Sequence, residues 1–298
     1  MTTPAPQLIL GPMRVPFLLL AVACVLLGIA TAHYQGGGLD VLYLLLALLG
    51  GVAAHVAVNA LNEYDDFRSG LDQKTERTPF SGGSGVLPAN PEKARYGLVI
   101  GLVGVAVTIA IGIYFVVARG WMIVPLGLLG LLVAVTYTRW LTRGPLLCLL
   151  APGIGFALMT LGTHFVLTGT YTWTSTTASL VPLFLVSDLL LLNQLPDLEA
   201  DAKVGRRHLM IVHGRRVGLT VYGLFLVATY VSIVAGWAVG TLPAWSLLAL
   251  ATIVIAVPTY RGSVAHADDI PGLIPFLGRN VILTLATPVL LSVGLFVG

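Results

Sequence analysis

Residues 41–72 read VLYLLLALLGGVAAHVAVNALNEYDDFRSGLD. The run from Val41 to Leu61 is apolar for about 20 residues, enough for a helix to cross a hydrocarbon layer of roughly 30 Å. It closes in a block of amide and carboxyl side chains. Lipid offers no hydrogen-bond partner to a backbone amide, so a run of this kind must be helical. An apolar span with a polar, carboxylate-rich end is therefore the unit from which the fold is read.

Spans of the same kind recur along the chain. We place nine, at Val15–Ala32, Val41–Leu61, Gly97–Ala118, Trp121–Tyr137, Pro145–Leu167, Leu180–Leu195, Val217–Val239, Leu242–Tyr260 and Val281–Val297. The 298 residues are 57% hydrophobic and 10% charged, against about 25% charged in a soluble domain. The mean hydropathy is +0.93. The expected fold is all-α: a polytopic membrane protein with nine helices in one bundle around a lipid-facing cavity. Residues 1–298 are read as a single transmembrane domain. Val15–Ile29 followed by Ala30-Thr31-Ala32 also has the form of a secretory signal with a cleavage site. The charge alternation below is satisfied with this first helix retained.

Of the 16 Lys and Arg, all but Arg119 fall at the N-terminus or in the loops after helices 2, 4, 6 and 8. Positive loops stay on the cytoplasmic side. The N-terminus and these loops are thus expected in the cytoplasm and the C-terminus outside, in an inner (cell) membrane. The net charge of +3 is a topology signal, with no basic stripe that would point to nucleic acid. Cys24 and Cys148 lie in apolar spans and read as small core residues.

Polar chemistry gathers in two clusters on the cytoplasmic side. In the first, Asn59, Asn62, Glu63 and Asp66 are spaced i, i+3, i+4, i+7 and share one helix face. Gly70 ends the helix, and Asp72 is placed to fold back over that face. In the second, Asn193, Asp197 and Asp201 are spaced i, i+4, i+8, again on one helix face, with Pro196 expected to kink or restart the helix. Both clusters contain Asn four residues before Asp, and both are followed by basic residues. Between them, Thr78–Gly85 is rich in Gly and Ser and reads as a loop suited to cover the first cluster.

Carboxylates are hard oxygen ligands for Mg²⁺, which binds through one or two of them together with substrate phosphate oxygens and water. Two facing clusters suit a diphosphate held by Mg²⁺, with Lys and Arg adding donors. Loss of the diphosphate from an allylic substrate leaves a carbocation, which a dry cavity between helices would shield from water. Acids placed at membrane depth are functional by default.

The two clusters resemble the signature of the UbiA-type membrane prenyltransferase superfamily, with an Asn-x-x-x-Asp motif after helix 2 and an Asp-x-x-x-Asp motif after helix 6. Asn59-x-x-Asn62-x-Tyr64-x-Asp66-x-x-x-Gly70-x-Asp72 and Asp197-x-x-x-Asp201-x-Lys203-x-Gly205-Arg206-Arg207 are most similar to the 1,4-dihydroxy-2-naphthoate prenyltransferase branch of menaquinone biosynthesis. Tyr137-Thr138 and Arg143-Gly144 fit it as well. The chain departs from the pattern at Glu63, His208 and Leu147.

The resemblance implies Mg²⁺-dependent transfer of an isoprenyl group from a prenyl diphosphate to an aromatic quinone precursor. It implies Asn62, Asp66, Asp72, Asp197 and Asp201 at the metal, with Asn62, Asp66, Asp197 and Asp201 central to catalysis. Asn59, Lys74, Arg77, Arg139, Tyr137, Asn193, Lys203 and Arg206 would contact substrate. Two other readings remain open at this point: a membrane terpene cyclase of the same superfamily, acting without acceptor, and a cation-coupled transporter. His55 either lines the cavity or is a core histidine. Asp188 either pairs with His164 or faces the cavity.

Overall fold

The computed structural model describes residues 4–298, and among them every regular element is a helix. In order these are α1 (Ala5–Met13), α2 (Leu19–Tyr34), α3 (Val41–Ser69), α4 (Val86–Ala89), α5 (Arg95–Arg119), α6 (Val124–Thr136), α7 (Pro145–Thr168), α8 (Trp173–Asn193), α9 (Leu198–Lys203), α10 (Leu209–His213), α11 (Arg215–Ala238), α12 (Ile253–Ala265) and α13 (Ile270–Val297). Short 3₁₀ turns join several of them, and Ala244–Thr252 leads into α12 as a nine-residue 3₁₀ segment.

Eight helical stretches among the described residues are long and apolar enough to cross a membrane. They occupy eight of the nine expected positions. The ninth, expected at Trp121–Tyr137, is the shorter apolar helix Trp121–Thr136. At about 1.5 Å per residue it falls short of a roughly 30 Å core. It stops early because the chain turns at Tyr137 toward the polar end of the bundle. The last span begins much earlier than expected, at Ile270 rather than Val281. Arg279 and Asn280 broke the apolar run in sequence, but Asn280 is buried and accepts from the Tyr222 hydroxyl at 3.0 Å, so the helix continues through it.

Local chemistry sets the helix ends that matter. Asp40 caps α3 by accepting from the Tyr43 amide at 3.1 Å. Gly70 closes α3 at φ 73°, a left-handed conformation that glycine adopts without a Cβ clash. A capping box of Thr172 and Ser175 starts α8. Pro196 has the predicted effect: α8 stops at Asn193, residues 194–197 form turns, and the chain restarts as α9. Asn193, Asp197 and Asp201 therefore do not lie on one continuous helix, which corrects the single-face reading of the second cluster.

Helices α3 and α5 pack closely. A Cβ on Gly104 would come within 2.8 Å of the Ala53 carbonyl oxygen, the kind of approach that small residues allow between membrane helices. With α6 and α7 they enclose an apolar cavity of about 450 Å³. Exposed Ile109, Ile113 and Leu128 stand at its rim, so it opens toward the lipid-facing surface. The largest buried cluster lies on the other side of the bundle, among α8, α11, α12 and α13. That rigid half carries α8 and positions the second polar cluster against the first.

Candidate active site

The last three turns of α3 project their polar side chains toward the polar end of the cavity. Asn59 and Asn62 line it. Asn59 donates to the Met13 carbonyl at 3.1 Å, and Asn62 to the Thr138 hydroxyl at 3.0 Å. Both amides are thus oriented by neighbouring backbone or hydroxyl groups. After Gly70, the turn Leu71–Gln73 buries Asp72 and leaves its Oδ2 without a partner.

The second cluster faces the first across the end of the bundle. Arg206 bridges them: it donates to Asp201 at 2.9 Å and also to Asp66. Burial works against the Arg206 charge, but Asp66 and Asp201 outweigh it and push its pKa further up. Asn193 Oδ1, Gln194 Oε1 and Asp197 Oδ1 are buried without hydrogen-bond partners. Buried oxygens are normally paired, so these acceptors, with that of Asp72, define a region short of positive charge.

The loop before α4 ties the two clusters together. The Ser84 amide donates to Glu63 at 2.5 Å and the Ser84 hydroxyl at 2.9 Å. Gly83, at φ 70°, lies so close that a Cβ there would stand 3.1 Å from Asp72 Oδ1. Ser81 and the Gly82 amide face Asp197. The Gly/Ser run thus lies directly over the carboxylates, as expected of a covering segment.

Burial pushes the Asp72 carboxyl up to about 7, helped by the negative charges of Asp66 and Glu63 and opposed by Arg77 and Arg206. Burial likewise pushes Asp197 up to about 7, with Asp201 adding to the effect. Each raised value has the same meaning: a carboxylate here lacks enough compensating charge and favours a cation.

The remaining expected residues divide into two groups. Tyr137 lines the cavity, and Arg77 packs against Gly82 and Gly85 at the covering loop. Arg139 instead makes a bidentate pair with Asp65, 2.8 Å at the shortest, with its side chain 55% exposed. It borders a second, solvent-facing pocket that Asp66 and Arg206 also line, with Arg68 and Arg143. Lys74 and Lys203 are exposed. His55 lines the cavity and meets Phe156 edge-on, with ring centroids 4.9 Å apart. Asp188 is fully buried outside the cavity, and His164 bonds Thr31 and Thr172 instead of it. Leu147, where the chain departs from the expected pattern, is 56% exposed and away from the cavity.

Three participants were not singled out in the sequence: Arg14 at the cavity wall, Ser84 as the loop anchor, and Gln194 with its unpartnered oxygen. Gln194 follows Asn193 in the second motif, which was its only sequence signal.

Among the described residues, no three His, Cys, Asp or Glu side chains converge as a metal site complete in itself. The donor set still fits Mg²⁺. This ion needs only one or two carboxylates when phosphate oxygens and water complete its octahedron, and the unpartnered oxygens of Asp72, Asn193 and Asp197 are hard donors.

Comparison with known proteins shows the family and the fold. The profile of the UbiA prenyltransferase family matches residues 19–269. The chain is 27% identical over 249 residues to the 1,4-dihydroxy-2-naphthoate octaprenyltransferase of Bacillus subtilis (strain 168), covering 81% of this chain and 77% of that protein. It is 25% identical over 290 residues to the Haemophilus influenzae protein of the same name, covering 94% and 92%. A UbiA homolog from Archaeoglobus fulgidus, solved with GPP and Mg²⁺, has the same fold at a TM-score of 0.67, with 14% identity and coverage of 98% and 100%. The UbiA homolog from Aeropyrum pernix K1 superposes at 0.66, with 18% identity over 95% of this chain and 98% of that one. The chain belongs to the UbiA prenyltransferase family.

Proposed function

We propose that this prenyltransferase transfers an isoprenyl group from a prenyl diphosphate to an aromatic quinone precursor, with Mg²⁺ at the carboxylate clusters. The observation that carries the reading is the junction of two environments. Unpartnered buried oxygens of Asp72, Asn193 and Asp197 lie at the polar end of the bundle, where Asn59 and Asn62 line the end of an apolar cavity of about 450 Å³. The diphosphate belongs at the first and the prenyl chain in the second.

Bound Mg²⁺ would neutralise the diphosphate and stabilise it as a leaving group. Asn62, Asp66, Asp72, Asp197 and Asp201 would hold the metal, directly or through water. Arg206 and Arg77 supply charged donors to phosphate oxygens, while Asn193 and Gln194 offer oxygens that orient bound water. Asn59 and Asn62 fix the substrate where the polar end meets the cavity. Tyr137 presents its ring to the allylic carbocation left when the C–O bond breaks. The apolar lining of α3, α5, α6 and α7 keeps water from that cation until the acceptor ring attacks it and the substituted ring carbon gives up its proton. Arg139 borders the pocket that Asp66 and Arg206 line, and the exposed Lys74 and Lys203 serve in capturing the anionic substrate.

The acceptor assignment rests on the naphthoate prenyltransferases among the relatives. An A. fulgidus homolog solved with GPP and Mg²⁺ supports the donor and the metal. The charge bias of the loops supports a cytoplasmic carboxylate end. Purified protein given labelled prenyl diphosphate, Mg²⁺ and a dihydroxynaphthoate acceptor should release pyrophosphate and form a prenylated ring. Pyrophosphate release without any acceptor would favour the cyclase reading.

A further inference from the structure

Prenyl transfer leaves two products that need different ways out. The prenylated ring is apolar and can leave through the lipid-facing rim at Ile109, Ile113 and Leu128. Pyrophosphate is a polyanion, and an apolar rim offers its oxygens no hydrogen bond. A second opening meets the carboxylate clusters from the solvent side. It encloses about 340 Å³ between the end of α3, the loop after α6 and the turn after α9, and every lining residue except Val204 is polar or charged.

This pocket shares a wall with the cavity. Asn62 lines the cavity and donates at 3.0 Å to the hydroxyl of Thr138, which lines the pocket. Asp66 and Arg206, paired to each other, line the pocket as well. Four guanidiniums converge there. Arg139 is taken by Asp65, and Arg206 by Asp66 and Asp201. Arg68 and Arg143 are left over. Arg68 lies over the Tyr64 ring at 5.8 Å, and among the described residues neither side chain makes a hydrogen bond or an ion pair. An arginine alone on a flat surface is simply hydrated. Two unpaired ones in a concave site, beside two more, set up a field that favours an anion, and the guanidinium fork fits phosphate oxygens bidentately.

We propose that this pocket is a second anion site, separate from the Mg²⁺-held diphosphate, which receives pyrophosphate on its way to water through Arg68 and Arg143. This rests on the prenyl-transfer reading above. Asp72 and Asp197, whose unpartnered oxygens mark the metal side, do not line the pocket, so the donor and the departing product do not share one place.

The test measures binding of labelled inorganic pyrophosphate to full-length protein in phosphatidylcholine nanodiscs with Mg²⁺, the diphosphate site being filled by a non-hydrolysable prenyl diphosphate. Wild type should still bind pyrophosphate. Arg143→Gln and Arg68→Gln should each weaken that binding about tenfold or more and leave the Kd of the analogue within about twofold, which also shows that each variant is folded. Arg143→Lys, charged but without the fork, should fall between. In turnover, Arg143→Gln should leave the prenyl diphosphate KM unchanged and weaken inhibition by added pyrophosphate. Complete displacement of pyrophosphate by the analogue, binding indifferent to both substitutions, or an analogue Kd weakened in parallel overturns the assignment. Displacement of pyrophosphate by phosphatidylglycerol added to the bilayer would make the pocket a lipid-headgroup site and overturn it too. An analogue that fails to bind counts against prenyl transfer instead. Pyrophosphate binding that still depends on Arg143 would then uphold the site, and its loss would sink it, so the two failures are distinguishable.

Discussion

The guanidinium of Arg206 donates to the carboxylate of Asp66, although 140 positions of sequence separate them. One residue closes the first polar cluster and the other follows the second, so this contact joins the two ends that α3 and α8 bring together. Arg206 also holds Asp201 at 2.9 Å. A cation therefore already sits between two of the carboxylates assigned to the metal, and the oxygens left without a partner in that set are those of Asp72 and Asp197.

Removing one carboxylate from either cluster should stop turnover. Asp66→Asn and Asp197→Ala should each lower kcat/KM by more than about 100-fold, on the order of 3 kcal/mol of transition-state stabilisation. Elution volume on gel filtration should stay that of wild type. Activity within tenfold of wild type for Asp197→Ala would remove it from the metal site.

The loop over the carboxylates should order with its ligands. Gly83 sits at φ 70° with Asp72 Oδ1 only 3.1 Å from where a Cβ would be, so Gly83→Val disturbs the loop in both conformation and space. Turnover should fall at least about tenfold, with little change in Tm. Hydrogen exchange across residues 80–85 should slow when Mg²⁺ and a non-hydrolysable prenyl diphosphate are added together. Identical exchange with and without the pair would make the segment a linker.

Metal binding should strengthen with pH. Asp72 and Asp197 carry carboxyl groups raised from 3.8 to about 7, chiefly by burial. The folded chain holds these protons more tightly than the unfolded one. The resulting stability is fully present below pH 3.8 and is lost as pH rises through about 7. Metal-free Tm should therefore fall across that window, and Mg²⁺ should restore it by binding the ionised forms. The Mg²⁺-induced rise in Tm should be larger at about pH 8 than at about pH 6; a rise that shrinks with pH contradicts the assignment.

The bias of the positive loops implies an orientation that a reporter can test. A fusion after Gly298 should report the outside, and one inserted near Asn90 the cytoplasm. Both reporters on the same side would be incompatible with an odd number of crossings, and so with Trp121–Thr136 acting as a span.

The helical bundle was legible because length and hydropathy alone decide a membrane span, and the Asn62–Asp66 face because helical spacing places it. What depended on tertiary contact was not. Glu63 shares the face of Asp66, yet nothing local says that Ser84 binds it. Arg139 has the same charge as Arg206, and only the fold shows that it pairs with Asp65 while Arg206 turns inward. Arg14 counted only as one more positive charge, because a left-handed turn has no signature in Met13-Arg14-Val15. The start of α13 was hidden because buried Asn280 reads as a break until Tyr222 is seen opposite it.

The central claim is prenyl transfer at a site built from both clusters, and one measurement reaches it most directly. Full-length protein in detergent should be incubated with radiolabelled prenyl diphosphate and 1,4-dihydroxy-2-naphthoate, with Mg²⁺ or with EDTA. The account predicts a labelled, prenylated aromatic product with Mg²⁺, and at least about a 100-fold loss in EDTA. Labelled aromatic product at the same rate in EDTA, or no aromatic product in Mg²⁺ with intact protein, would contradict it.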